Sequence, residues 1–237
     1  MPVRARLLSL PAIVLLAMTM MTASPKLTEA ASTCQTCPAA CTSEPDQSRV
    51  VHVWLFNQTR MNDGTLADII GAANRIWMPY DLAIEPGHGP DAIKIVVSPG
   101  MMPSPTTAPG WALGDTLFTD GHASPYIHLW RGAAEALAMN SQIDGRTFTS
   151  RPIVERDGIL TQMLGVALAH ELGHYLLDSS SHSTAGLLRG TIDVGDLAYP
   201  RPSHLRLTSE QRRRICQQLP DAVAEHDRER LEPHGSN

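Results

Sequence analysis

The sequence predicts an α/β (α+β) fold in which a mixed, twisted sheet is backed by one helix, a second helix is buried, and a third closes the chain. Three observations carry this. Between Arg49 and Gly100, β-branched runs and one amphipathic run follow in the order strand, helix, strand, strand. A nearly all-apolar, proline-free run then extends from Asp157 to about Asp178. Near the C-terminus, Thr208 and Gln211 stand three apart at the head of a charged run, the spacing of a capping box.

The first strand is "RVVHVWLFN", rich in β-branched and aromatic residues and bounded by polar ones. "NDGTLADIIGAANRIWM" follows with Leu66, Ile69, Ile70, Ala73 and Trp77 at helical spacing, so it forms an amphipathic helix that packs on the sheet. "DLAIEPG" and "AIKIVVSPG" are two more strands ended by turn residues. The proline-rich "MMPSPTTAPG" reads as a surface loop. "DTLFTDGHASPYIHLW" holds two extended pieces broken at Asp120-Gly121, "RGAAEALAMN" a short helix, and "SQIDGRTFTSRP" an irregular stretch. The apolar run from Asp157 has no polar face, so the helix it forms is buried. Beyond it come the Gly-rich "STAGLLRGTIDVGD", the loop "YPRPSH" and the helix "TSEQRRRICQQL".

Residues 1-30 read as a signal peptide. Arg4 and Arg6 precede the apolar "LLSLPAIVLLAMTMM", which is interrupted by Ser9, Pro11 and Thr19 and is short for a bilayer crossing; cleavage fits after Ser24 or after Ala30. The product is expected to be secreted or periplasmic, with no stable membrane association after cleavage. What remains is a cysteine-containing segment 31-48, one domain over 49-219 and a charged flexible tail 220-237, a length that supports a single core. Asp and Glu number 24 against 19 Lys and Arg, a net charge of −5. Losing the first 30 residues deepens that charge, which argues against nucleic acid as a partner. The four cysteines, Cys34, Cys37, Cys41 and Cys216, form an even set in an exported chain and point to disulfides, with three pairings open. One bridge inside the cluster and one from it to Cys216 is the arrangement expected. Oligomeric state is not legible.

The chemistry is concentrated in "GVALAHELGHYLLDSSSHSTAGLLRG". Residues four apart stack on one helix face, so His170 and His174 can aim a ring nitrogen at a single ion. Glu171, rotated by about 100° from His170, is placed to touch a water at that ion, the position of a general base. A buried helix does not carry two histidines and a glutamate without partners for them. A catalytic zinc takes three protein ligands, and His182, beyond the helix-ending "DSSS", is the natural third. Its rivals are Asp178, at the helix end; Asp193, in a "GTID" that resembles an aspzincin element; and His204.

These residues resemble the metzincin zinc metallopeptidases, with the signature His-Glu-x-x-His-x-x-Gly-x-x-His followed by a Met-containing turn. The likeness is specific from Gly165 to Arg189 and diffuse from Arg49 to Trp130. It implies that His170, His174 and His182 bind Zn2+, that Glu171 is the catalytic base, and that "GLLR", Gly186 to Arg189, is the turn beneath the site. Two features depart from the pattern. The third histidine comes two residues late, with Leu177 at the glycine position, and no methionine follows Met163, so Leu188 takes the turn position. The implied function is a secreted metalloendopeptidase hydrolysing a peptide or protein substrate by a zinc-bound water. The exposed sheet edge near "SPYIHLW" would hold an extended peptide by β-augmentation, and Tyr199 and His204 are candidates to steady an oxyanion. The alternative is an exported zinc-binding pseudo-protease domain that serves in partner binding.

Overall fold

A computed structural model of the chain describes residues 49–103 and 111–218, all within one compact unit, Cys41–Asn237. The expected signal peptide, the cysteine cluster, the C-terminal tail and most of the proline-rich loop lie outside the described residues. Among the described residues, no helix is long and apolar enough to cross a membrane.

The fold is a mixed α/β arrangement around a five-stranded sheet. Strand β1 (Arg49–Asn57) leads into helix α1 (Asp63–Trp77), a single 3-10 turn, and strands β2 (Leu82–Pro86) and β3 (Ile93–Ser98). The two-residue strands β4 (Met102–Pro103) and β5 (Trp111–Ala112) pair with each other, and then come β6 (Gly114–Thr119), β7 (His122–Trp130) and α2 (Arg131–Met139). A small hairpin, β8 (Gln142–Ile143) with β9 (Arg146–Thr147), precedes the long α3 (Ile153–Leu176) and the short α4 (Val194–Ala198). Residues 209–218 form the last described helix.

In the main sheet the order is β2-β1-β3-β7-β6. β1, β2, β3 and β7 run parallel, and β6 joins antiparallel to β7 at one edge. β7 is therefore flanked on both sides. The "SPYIHLW" stretch is not the open edge; that edge is β6, because the tight turn at Asp120-Gly121 folds the preceding segment back along the outside of β7. Both turn residues have positive φ, 53° and 86°, the backbone of a two-residue hairpin turn.

Alternation along the strands sends Val51, Val53, Ile93, Ile95, Val97, Ile127 and Leu129 into one core with α1 and α3. α1 starts at Asn62, whose side chain accepts the Thr65 N–H at 2.9 Å. Asn74 then closes the free edge of β2, giving its Nδ2 to the Ile84 carbonyl and accepting the Ile84 N–H. α1 and α3 come very close at Gly165, where an added Cβ would stand 2.3 Å from the Ala72 Cβ. Trp77 crosses the same contact to donate its indole N–H to the Ala169 carbonyl.

α3 begins at Ile153, four residues before the apolar run, directly after Pro152. The stretch expected to be irregular contains the β8–β9 hairpin, turning through Asp144 and Gly145 at φ 49° and 69°, and "STAGLLRGTIDVGD" leads into α4. The capping box is present in both directions: Thr208 N–H donates to Gln211 Oε1 at 2.9 Å and Gln211 N–H to Thr208 Oγ1 at 3.2 Å. Cys216, on this helix, is disulfide-bonded; the other three cysteines lie outside the described residues.

Candidate metal centre

The buried helix α3 carries His170, Glu171 and His174 on its last turns, and the chain then has to reverse to bring His182 to them. Leu177 caps the helix and Asp178 takes a left-handed conformation, φ 45°. The Ser179 N–H returns to the His174 carbonyl at 3.1 Å. A second reversal between Ser183 and Arg189 is closed by the Ser183 N–H on the Leu188 carbonyl at 2.8 Å and by the Ser183 hydroxyl on Ala185. His182 stands at the mouth of this loop, against Gly190.

The result is a group of three histidines whose ring nitrogens all lie within 4.8 Å of one another, and which could hold a metal ion. His170 and His174 are fixed from behind. Each Nδ1 is 2.7 Å from a backbone carbonyl, that of Leu187 for His170 and that of Ser179 for His174. A carbonyl only accepts, so each Nδ1 carries the proton and each Nε2 is left with a bare lone pair. Those two Nε2 atoms face each other at 3.0 Å. Two lone pairs do not attract, and the contact needs a cation to satisfy both.

A proton is a poor candidate for that cation. Burial, then the neighbouring His174, push the His170 pKa down to about 3, against the opposing pull of the Leu187 bond. Burial also lowers His174. Neutral imidazoles with converging Nε2 atoms and backbone-anchored Nδ1–H groups are the donor set that a borderline metal takes. The residues present therefore fit a metal ion.

The turn at 186–190 forms the floor. Leu188 is buried, and an added Cβ on Gly173, between the two helix histidines, would meet its Cδ2 at 2.6 Å. Leu187 supplies the carbonyl for His170. Gly186 has φ 81°, and a Cβ there would lie 2.1 Å from the Arg206 carbonyl oxygen, so only glycine fits.

Glu171 is buried and turned toward β6. The Thr116 hydroxyl lies 2.8 Å from Glu171 Oε2 and 2.9 Å from its backbone carbonyl. Burial raises the carboxyl pKa to about 7; the Thr116 bond opposes the rise and the nearby Asp115 adds to it.

Three of the rivals have other occupations. Asp178 accepts the Ala123 N–H at 2.6 Å and pairs with His122 Nδ1 at 2.7 Å, which ties the β6–β7 turn to the end of α3. Asp193 caps α4 by accepting the Gly195 N–H at 2.8 Å. His204 sits on the buried Asp196, 3.0 Å from Nδ1 to Oδ2, beside Arg189 and Arg201. Tyr199, the other oxyanion candidate, receives a hydrogen bond from Arg151 at 3.0 Å.

Sequence reasoning missed Thr116, Gly114 and Asp196. None of the three carries a local signal, whereas Gly186 was expected as the head of the turn beneath the site. No family model matches the chain, and no curated protein matches it.

Proposed function

We propose that the chain is a secreted, metzincin-like zinc metalloendopeptidase in which His170, His174 and His182 hold the ion and Glu171 is the general base. The observation that carries the reading is the conjunction of two bare Nε2 lone pairs at 3.0 Å with a buried carboxylate on the adjacent residue. A site that is only structural closes with four protein ligands and has no use for a base. Among the described residues the metal-type cluster has three.

Bound zinc would supply Lewis acidity, acidifying a water and polarising the scissile carbonyl. The chain's own part follows from its residues. The Leu187 and Ser179 carbonyls hold two imidazoles in the tautomer that exposes Nε2. Glu171, with a pKa near neutrality, can take a proton from the attacking water and return it to the departing amine. Leu188 and the apolar wall of α3 keep bulk water from beneath. The antiparallel edge strand β6 offers unpaired backbone groups to an extended peptide.

Glu171→Gln separates an enzyme from a zinc-binding domain. The amide keeps size and hydrogen-bonding shape but accepts no proton, so zinc content by metal analysis should persist. Hydrolysis of a diverse peptide library should fall by roughly 100- to 10,000-fold. Equal activity in the two forms refutes the mechanism. Zinc retained with no hydrolysis in either form supports the pseudo-protease alternative.

A further inference from the structure

We propose that Thr116 and Gly114 of the edge strand are positioning residues for Glu171: β6 holds the carboxylate through the Thr116 hydroxyl on Oε2 and makes room for it at Gly114. The assignment stands on two separate contacts. The Thr116 hydroxyl is within hydrogen-bond distance of both Glu171 Oε2, at 2.8 Å, and the Glu171 carbonyl, at 2.9 Å. Its single proton serves two acceptors of one residue, so the strand is keyed to the backbone and the side chain of Glu171 together. Gly114 lies two residues earlier, on the same face of β6. A Cβ at that position would stand 2.7 Å from Glu171 Cγ and 3.1 Å from Oε1. A side chain there would therefore push the glutamate off the strand.

The buried setting makes the contact matter. Thr116 is 6% exposed and Glu171 8%, so the carboxylate has little water to choose as an alternative partner. Thr116 reaches it with its hydroxyl and, more weakly, with its backbone N–H. Without the hydroxyl the carboxylate keeps only the weaker backbone contact and shifts toward it, and a displacement of about 1 Å at a reacting group costs on the order of 100-fold in rate. β6 is also the outer strand of the sheet, and Asp178 ties the turn that follows it to the end of α3. One strand therefore both borders the site and sets the direction of its base.

The kinetic part of this rests on the peptidase reading, and the structural part does not. The test is a set of crystal structures, zinc affinities and steady-state kinetics for the zinc-loaded mature protein and for Thr116→Val, Thr116→Ser and Gly114→Ala. Wild type and Thr116→Ser should show the carboxylate on the hydroxyl of residue 116. Thr116→Val should show it shifted toward the backbone N–H of that residue, and Gly114→Ala should show it displaced from the strand. Zinc affinity should stay within about threefold throughout, because no histidine contact is touched, while Thr116→Val lowers kcat by roughly 10- to 100-fold with little change in KM. Thr116→Ser should recover most of that loss, which a purely space-filling role of the threonine methyl would not allow. If Thr116→Val does not fold, Thr116→Ala carries the same comparison. An unmoved carboxylate in the hydroxyl-free variant overturns the proposal, as does an equal kcat loss in the serine variant. If the wild type hydrolyses no peptide, the peptidase reading fails and the crystal structures alone decide the positioning role.

Discussion

His170 and His174 owe their aim to two backbone carbonyls, not to side-chain partners. This makes the site sensitive to where the chain runs after the helix. His182 arrives from that returning chain, is exposed, and sets its ring 5.4 Å from that of His170 and 4.8 Å from that of His174. His182→Ala should therefore weaken zinc binding by at least about 100-fold, more than the 10- to 100-fold typical of losing a partner behind a ligand, as read by competition with a chelator. Asp193→Ala should leave the affinity unchanged and cost only about 1 kcal/mol, the value of the α4 cap it removes. The opposite ranking would move the third ligand to Asp193. His170, Glu171 and His174 were legible in the sequence because four-residue spacing on a helix is a local geometric fact. Thr116 was not. It lies 55 residues from Glu171, and nothing local marks a threonine on a strand as the partner of a distant glutamate.

The elements that carry the site differ in how plainly the sequence announces them. β1, α1, β2 and β3 follow from their apolar period, and the last helix from a capping box whose partners are three residues apart. The β8–β9 hairpin escaped because each strand has two residues, although Asp144-Gly145 is a hairpin turn signal. α3 starts earlier than its apolar run because its first turn is solvent-facing, with Ile153 65% and Val154 83% exposed. Sheet order was beyond reach, since which strand lies at the edge depends on pairing that no local pattern encodes. The turn at 186–190 is the element whose shape matters most. Gly186→Ala places a methyl against the Arg206 carbonyl at a positive φ, so the turn has to move and carry the Leu187 carbonyl off His170. Zinc affinity should fall by roughly 10- to 100-fold, and stability by about 1 kcal/mol or more in chelator. Unchanged affinity would mean that the Leu187 bond does not set the ring.

At the scale of the whole molecule, one buried charge ties the turn beneath the site to α4 and to the loop that follows it. Asp196, on α4, is 2% exposed and accepts from Arg189 of the turn at 2.8 Å, from Arg201 at 2.8 Å, and pairs with His204. Burial alone would raise its carboxyl. The hydrogen bonds from Arg189, Arg201 and His204 outweigh that and bring the pKa down to about 2, from an ordinary 3.8. A carboxyl depressed on folding binds its proton more readily in the unfolded chain. Its contribution is therefore complete above about pH 4 and disappears as the pH falls through about 2. The shift corresponds to stability on the order of 2 kcal/mol. Asp196→Asn keeps the shape and removes the charge, leaving Arg189 and Arg201 against a neutral amide. In urea unfolding with chelator present, so that metal release does not enter, the variant should be less stable than wild type by at least that amount at pH 7. The gap should hold down to about pH 4 and narrow between pH 4 and 2, where wild type loses what the variant never had. A gap that stays constant to pH 2 would show that Asp196 holds the three segments together by shape alone.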